Sequence, residues 1–114
     1  MQYPTEREQE ALDLLQEECC EVGQAISKIR RFGLDFRAKG GSAPYTNKEE
    51  LQREVWDILI YFDVLQTMGL IDLDPKGLEH YLATEKLEKL QKWTNLFKDT
   101  DSDTDSGRQQ SAAS

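Results

Sequence analysis

Residues 51–68 read LQREVWDILIYFDVLQTM, and the way this run is covered decides the fold. Leu51, Val55, Ile58, Phe62, Leu65 and Met68 recur at spacings of three and four, which marks one face of an α-helix. Trp56, Leu59, Ile60 and Val64 lie off that face. A helix apolar nearly all round must be covered on most sides. Working upstream, Asn47 and Glu50 fit a helix-opening pair, and downstream Gly69 is the expected stop. Before Asn47 comes GLDFRAKGGSAPYT, residues 33–46. It has no sustained period and reads as a long loop, a kind that is more often functional or mobile than merely connecting.

An earlier helix is predicted from Thr5, with Thr5 and Glu8 as a capping box, to about Phe32, ahead of Gly33. Its apolar face is Leu12, Leu15, Cys19, Val22, Ile26 and Ile29. Asp74 and Pro75 open a third helix as N-cap and first-turn proline. Leu82, Ala83, Leu87, Leu90, Trp93 and Phe97 form its apolar side. The expected architecture is all-α, a helical bundle of three main helices completed by dimerisation, because two neighbours do not cover the central helix. Residues 1–98 read as one domain. Residues 99–114, acidic and serine-rich, read as a disordered tail with almost nothing to bury.

The 114 residues carry 22 acidic and 14 basic side chains, a net charge of −8. So acidic a surface argues against binding a nucleic acid polymer through its phosphates. It leaves phosphate chemistry open where a divalent cation reverses the local field. The two cysteines, Cys19 and Cys20, are adjacent and poorly placed for a mutual disulfide. The N-terminal stretch shows no basic-then-apolar leader and no run is long enough for a bilayer, so a cytoplasmic protein with no membrane partner is expected.

Two clusters carry the chemistry: Glu17-Glu18-Cys19-Cys20-Glu21 and Glu54-Val55-Trp56-Asp57. Glu18/Glu21 and Glu54/Asp57 are each three apart, so each pair shares a helical face. On the wheel Glu18 falls between Ala25 and Val22, and Glu54 between Tyr61 and Leu65. Four carboxylates are therefore drawn toward one helix–helix interface. Unpaired burial costs several kcal/mol each, and a divalent cation relieves both burial and mutual repulsion. All-oxygen ligands favour Mg²⁺, with Mn²⁺ as a substitute, and Mg²⁺ shares itself readily with nucleotide phosphates. Lys86 falls within the apolar arc of the third helix, between Trp93 and Phe97. It either snorkels over that surface or reaches phosphate oxygens. Lys28, with Arg30 and Arg31 beside it, offers a further phosphate grip near the loop. Phe32, Phe36 and Tyr45 border or occupy the loop, where they either pack or stack on a base. His80 reads as a surface residue, and no nucleophilic triad or phosphate-binding glycine loop is evident.

The run Glu17-Glu18-Cys19-Cys20-Glu21 followed by Glu54-Val55-Trp56-Asp57 resembles the EExxE…ExxD motif of the MazG-like all-α NTP pyrophosphatases. Lys28-Ile-Arg-Arg-Phe-Gly33 looks like the matching segment of small phage-type members. The resemblance spans about residues 8 to 95. It implies hydrolysis of a (deoxy)nucleoside triphosphate to the monophosphate and pyrophosphate. Glu18, Glu21, Glu54 and Asp57 would be metal ligands and Glu17 a water-orienting, catalytic carboxylate. Lys86 would contact phosphates. The family's helical bundles assemble as homodimers, often paired into homotetramers, and small phage enzymes suggest a guanine nucleotide. The Glu21–Glu54 segment is longer here than the family pattern, which leaves base recognition open. Related dUTP/dCTP or phosphoribosyl-ATP pyrophosphatases are the neighbouring activity. A non-catalytic acidic helical dimerisation module is the alternative of another class.

Overall fold

The computed structural model describes residues 2–96. Among them every regular element is helical, with no strand. α1 spans Glu6–Phe32, α2 Asn47–Thr67, α3 Pro75–Tyr81 and α4 Leu87–Trp93. A 3₁₀ turn at Lys39–Gly41 interrupts the loop, and a π-turn at Leu82–Lys86 joins α3 to α4. No helix among the described residues is long and apolar enough to cross a membrane. The tail expected beyond residue 98 lies outside the described residues, as does Phe97.

The described residues divide into two compact units, one up to Asp72 and one from Leu73. In the first, α1 packs along α2. The pair is antiparallel. Ala11 of α1 shares a depression with Tyr61, Val64 and Met68 of α2, while Lys28 shares one with Asn47 and Glu54.

Local chemistry sets the helix ends. The Thr5 hydroxyl accepts from Glu8 N at 3.1 Å while Thr5 N donates to Glu8 at 2.8 Å, the capping box expected from the sequence. At the far end Gly33 takes φ 94°, a left-handed value that favours glycine, and its N–H closes on Ile29 O. α2 ends likewise at Gly69, φ 79°, with Leu70 N bonded to Leu65 O at 2.9 Å.

The start of α2 corrects the sequence reading. Its capping box is Thr46/Glu49, with Thr46 N donating to Glu49 at 2.8 Å, and not Asn47/Glu50. Both pairs have the right spacing. Asn47 is withdrawn because its side-chain amide donates to Lys28 O at 3.3 Å and Gly33 O at 3.1 Å. Asn47 is buried, and these bonds tie the end of α1 to the start of α2.

The helix-packing seam also differs in phase. The buried residues of α1 are Ala11, Glu18 and Ala25, a spacing of seven. The expected apolar stripe lies about one residue round the wheel. Leu12, Leu15, Val22 and Ile29 are half-buried, and Cys19 and Ile26 are exposed. α2 covers only part of that apolar face, so the remainder stays open in the isolated unit. On α2, Leu65 is fully buried, whereas Trp56, Leu59 and Ile60 are 55–59 % exposed.

In the second unit Asp74 caps α3 and Pro75 occupies its first turn, as expected. The helical path runs on through the π-turn, where Leu87 N–H reaches back to Leu82 O. A π-turn shifts the wheel by about one residue. Lys86, its last residue, therefore does not hold the expected register with Leu82 and Ala83. Leu82 and Trp93 are themselves exposed, so the arc around Lys86 is not buried within this unit.

Candidate metal centre

Glu18 is on the seam because positions 11, 18 and 25 are. Glu21 follows one turn later, and Glu54 comes from the facing turn of α2. One carboxylate oxygen from each of Glu18, Glu21 and Glu54 lies within 4.8 Å of the others. Glu18 is 6 % exposed, Glu54 half-buried and Glu21 exposed, so the group opens from the helix interface toward solvent.

Three like charges at that separation repel one another. Burial, first, and then the charges of Glu54, Glu21 and Asp57 push the Glu18 carboxyl up to about 7. Glu54 is raised as well, chiefly by burial and by the charge of Glu21. Even so, no donor reaches the buried Glu18 Oε2, and the hydrogen-bonding neighbours of the Glu18 carboxyl are Glu21 and Glu54, themselves acids. A buried carboxylate oxygen left without a donor is costly. An oxygen in that position is satisfied by a proton or by a cation shared with Glu21 and Glu54.

Of the four carboxylates drawn together by the sequence reading, three converge. Asp57 stays outside the 4.8 Å group, though its charge raises both Glu18 and Glu54. Glu17 is exposed and does not join the group. Lys28 is brought to the site. It lines a polar cleft of about 40 Å³ with Glu21, Gln24, Ala25, Asn47, Glu50 and Glu54. Arg31 lies further along α1, over the Phe32 ring at 5.4 Å. With Lys28 and Arg30 it lines an open, basic stretch of α1 surface that adjoins the cleft through Gln24 and Lys28. Lys86 belongs to the second unit and is exposed.

Three polar residues of the cleft escaped the sequence reading. Glu50 was assigned to the cap, yet it stands one turn before Glu54 and its charge raises that carboxyl. Asn47 was assigned to the same cap. The signal for both was present: 47, 50, 54, 61 and 65 share one face of α2 with the buried Leu65. Gln24 has no comparable signal, since glutamine on a helix is ordinarily solvated.

A cleft of about 40 Å³ admits a cation or a water molecule but no organic ligand. Anything larger must lie across its mouth, over Glu21 and Lys28. The donor set is all carboxylate and amide oxygen near one amine, which suits a hard divalent ion shared with an anionic ligand. Neither a family model, a curated protein nor a solved structure matches the sequence.

Proposed function

We propose that this chain is a divalent-metal-dependent hydrolase of (deoxy)nucleoside triphosphates that releases pyrophosphate. The observation that carries the reading is the unpartnered, buried oxygen of Glu18 within a three-carboxylate group opening beside Lys28. Glu18, Glu21 and Glu54 would hold Mg²⁺ or Mn²⁺, with Asp57 adding negative potential or completing the set. Such an ion supplies neutralisation of phosphate oxygens and a more acidic water. Lys28 supplies a positive charge at the cleft mouth for a phosphate oxygen. Glu50, half-buried beside Glu54, is placed to accept a proton from a water in the cleft, a role the sequence motif suggested for Glu17. Attack of that water oxygen on the α-phosphorus would break the bond to the bridging oxygen and leave the monophosphate and pyrophosphate. Arg31 is a further phosphate contact in this proposal.

Pyrophosphate release measured across the ribo- and deoxyribonucleoside triphosphates, with Mg²⁺ and with Mn²⁺, tests it. Turnover that needs the metal and drops by orders of magnitude in Glu54→Gln is the expected result. Metal-independent behaviour, or full turnover in both Glu18→Gln and Glu54→Gln, would overturn it. The same measurement separates a guanine preference from dUTP, dCTP or phosphoribosyl-ATP hydrolysis. Self-association belongs to the proposal too. The outer face of α2, with Trp56, Leu59 and Ile60 more than half exposed, is what supports a homodimer or homotetramer.

A further inference from the structure

Beyond Lys28 the α1 face that carries the carboxylates does not end in a polar turn. It ends in an aromatic ring. Glu18, Glu21, Ala25, Lys28 and Phe32 follow one another at spacings of three, four, three and four, so they form one stripe along the helix. At about 1.5 Å per residue, Phe32 lies roughly 6 Å past Lys28 and roughly 16 Å past Glu21. Immediately after it the chain reverses at Gly33, φ 94°, and Phe36 returns onto Phe32. The two rings are 4.9 Å apart at their centroids and inclined by 22°, a stacked pair. Neither is buried: Phe32 is 52 % exposed and Phe36 42 %.

The pair is fixed to the site by backbone. Phe36 O accepts Asn47 N at 2.9 Å, Leu34 O accepts Lys48 N at 3.0 Å, and the Asn47 amide holds Gly33 O. Asn47 is itself a wall of the cleft. One residue therefore joins the aromatic pair to the carboxylate cleft. Tyr45, the other ring of this loop, differs because the Arg53 guanidinium sits over it at 4.5 Å. Phe32 carries Arg31 near one face, whereas among the described residues Phe36 stacks on Phe32 alone. Packing does not account for an exposed ring pair held in register with three carboxylates and a lysine. The order along the stripe is cation site, amine, aromatic surface, and it matches a ligand that is polyanionic at one end and planar at the other.

We propose that Phe36, backed by Phe32, is the stacking platform for the nucleobase of the triphosphate, so that this loop gives the site its preference for nucleotides over inorganic polyphosphate. The proposal rests on the metal–phosphate reading above. Stacking is tolerant of base identity, because every base has a π-face. The platform therefore adds affinity for purine and pyrimidine nucleotides alike.

The test is calorimetric titration of the full chain with Mg²⁺, comparing α,β-methylene nucleoside triphosphates of a purine and a pyrimidine with inorganic tripolyphosphate. Wild type should bind both nucleotide analogues about tenfold or more tighter than tripolyphosphate. Phe36→Leu, which keeps an apolar side chain but no ring, should lose most of that margin and leave the tripolyphosphate affinity unchanged. Phe36→Trp should keep the margin, with circular dichroism verifying the fold of each variant. Tripolyphosphate binding with no nucleotide margin in wild type, or a margin that survives in Phe36→Leu and in Phe32→Leu, overturns the platform and leaves the metal–phosphate reading intact. Failure of both ligand classes to bind overturns the two together.

Discussion

A proton competes for the buried carboxylate of Glu18, and under the proposed function a cation does as well. In the metal-free protein its carboxyl titrates near 7, against an ordinary value of 4.5. Between those values the folded chain holds a proton that the unfolded chain has lost, so folding is favoured at low pH and the advantage fades as pH rises through about 7. Glu54, raised for the same reasons, adds with the same sign. The melting temperature of the metal-free protein should therefore fall between about pH 5 and about pH 8, and Glu18→Gln should flatten that slope. At about pH 8 the metal-free Glu18→Gln variant should melt higher than wild type, because a neutral amide replaces a crowded buried charge. Adding Mg²⁺ should reverse the order, since wild type gains stability by binding and the variant gains less. Melting curves with chelator and with excess metal measure both effects. Equal pH slopes in the two proteins would remove Glu18 from the centre. Lys28→Ala should keep the fold, as its side chain is exposed, but weaken tripolyphosphate binding.

At the scale of the element, the junction between α1 and α2 does more than connect. Thr46 and Glu49 cap α2, which frees Asn47 to hold the end of α1 and Glu50 to face the cleft. The Arg37 guanidinium ties the middle of the loop to Ala43 O at 3.2 Å and Pro44 O at 2.8 Å, and stands 3.7 Å from Glu49. Asn47→Ala should cost about 1–3 kcal/mol, the range for leaving buried groups unpaired. Glu49→Ala should destabilise modestly, because Thr46 N loses its carboxylate acceptor in the capping box. Glu50→Ala should cost less than either and instead reduce turnover. Urea unfolding beside pyrophosphate release separates the three. If Glu50→Ala destabilises as Glu49→Ala does, Glu50 belongs to the cap and not to the site. The second unit has its own irregularity at the π-turn that ends on Lys86.

For the whole molecule, the fully or nearly buried apolar residues are few: Ala11, Ala25 and Leu65 among those described. Against them stand Trp56, Leu59, Ile60 and Ile26, large side chains left at least a third exposed. Full burial of such a side chain contributes about 1.5–3 kcal/mol, and the fraction still exposed on each of the four is a drive toward association. Light scattering at micromolar concentration should find dimers or larger species. Ile60→Glu and Trp56→Glu should each shift the population to monomer or abolish cooperative unfolding, because a charge in an apolar contact is costly. A monomeric wild type with full turnover would refute self-association. Neither cysteine is paired within the chain and both are exposed, so the measurement requires reductant.

The existence of the helices and the ends at Thr5, Gly33, Gly69 and Asp74-Pro75 were legible in the sequence, whereas the cap of α2 and the close of α4 at Trp93 were not. Thr5-x-x-Glu8, Gly33, Gly69 and Asp74-Pro75 act within one turn, and short-range steric and hydrogen-bonding rules decide such features wherever they occur. The acid pairs at Glu18/Glu21 and Glu54/Asp57 were equally legible, since a spacing of three leaves no choice of face. Three matters were decided only by tertiary structure. The α1 seam runs through Ala11, Glu18 and Ala25, one position from the apolar stripe. Glu54 joins the triad while Asp57 stays beside it. Asn47 and Glu50 turn from cap to cleft. The physical reason is common to all three. Periodicity specifies which residues share a face of one helix, but the rotation of two helices about their axes is set by how their side chains interlock. A rotation of one residue's arc exchanges a carboxylate within the group for one beside it.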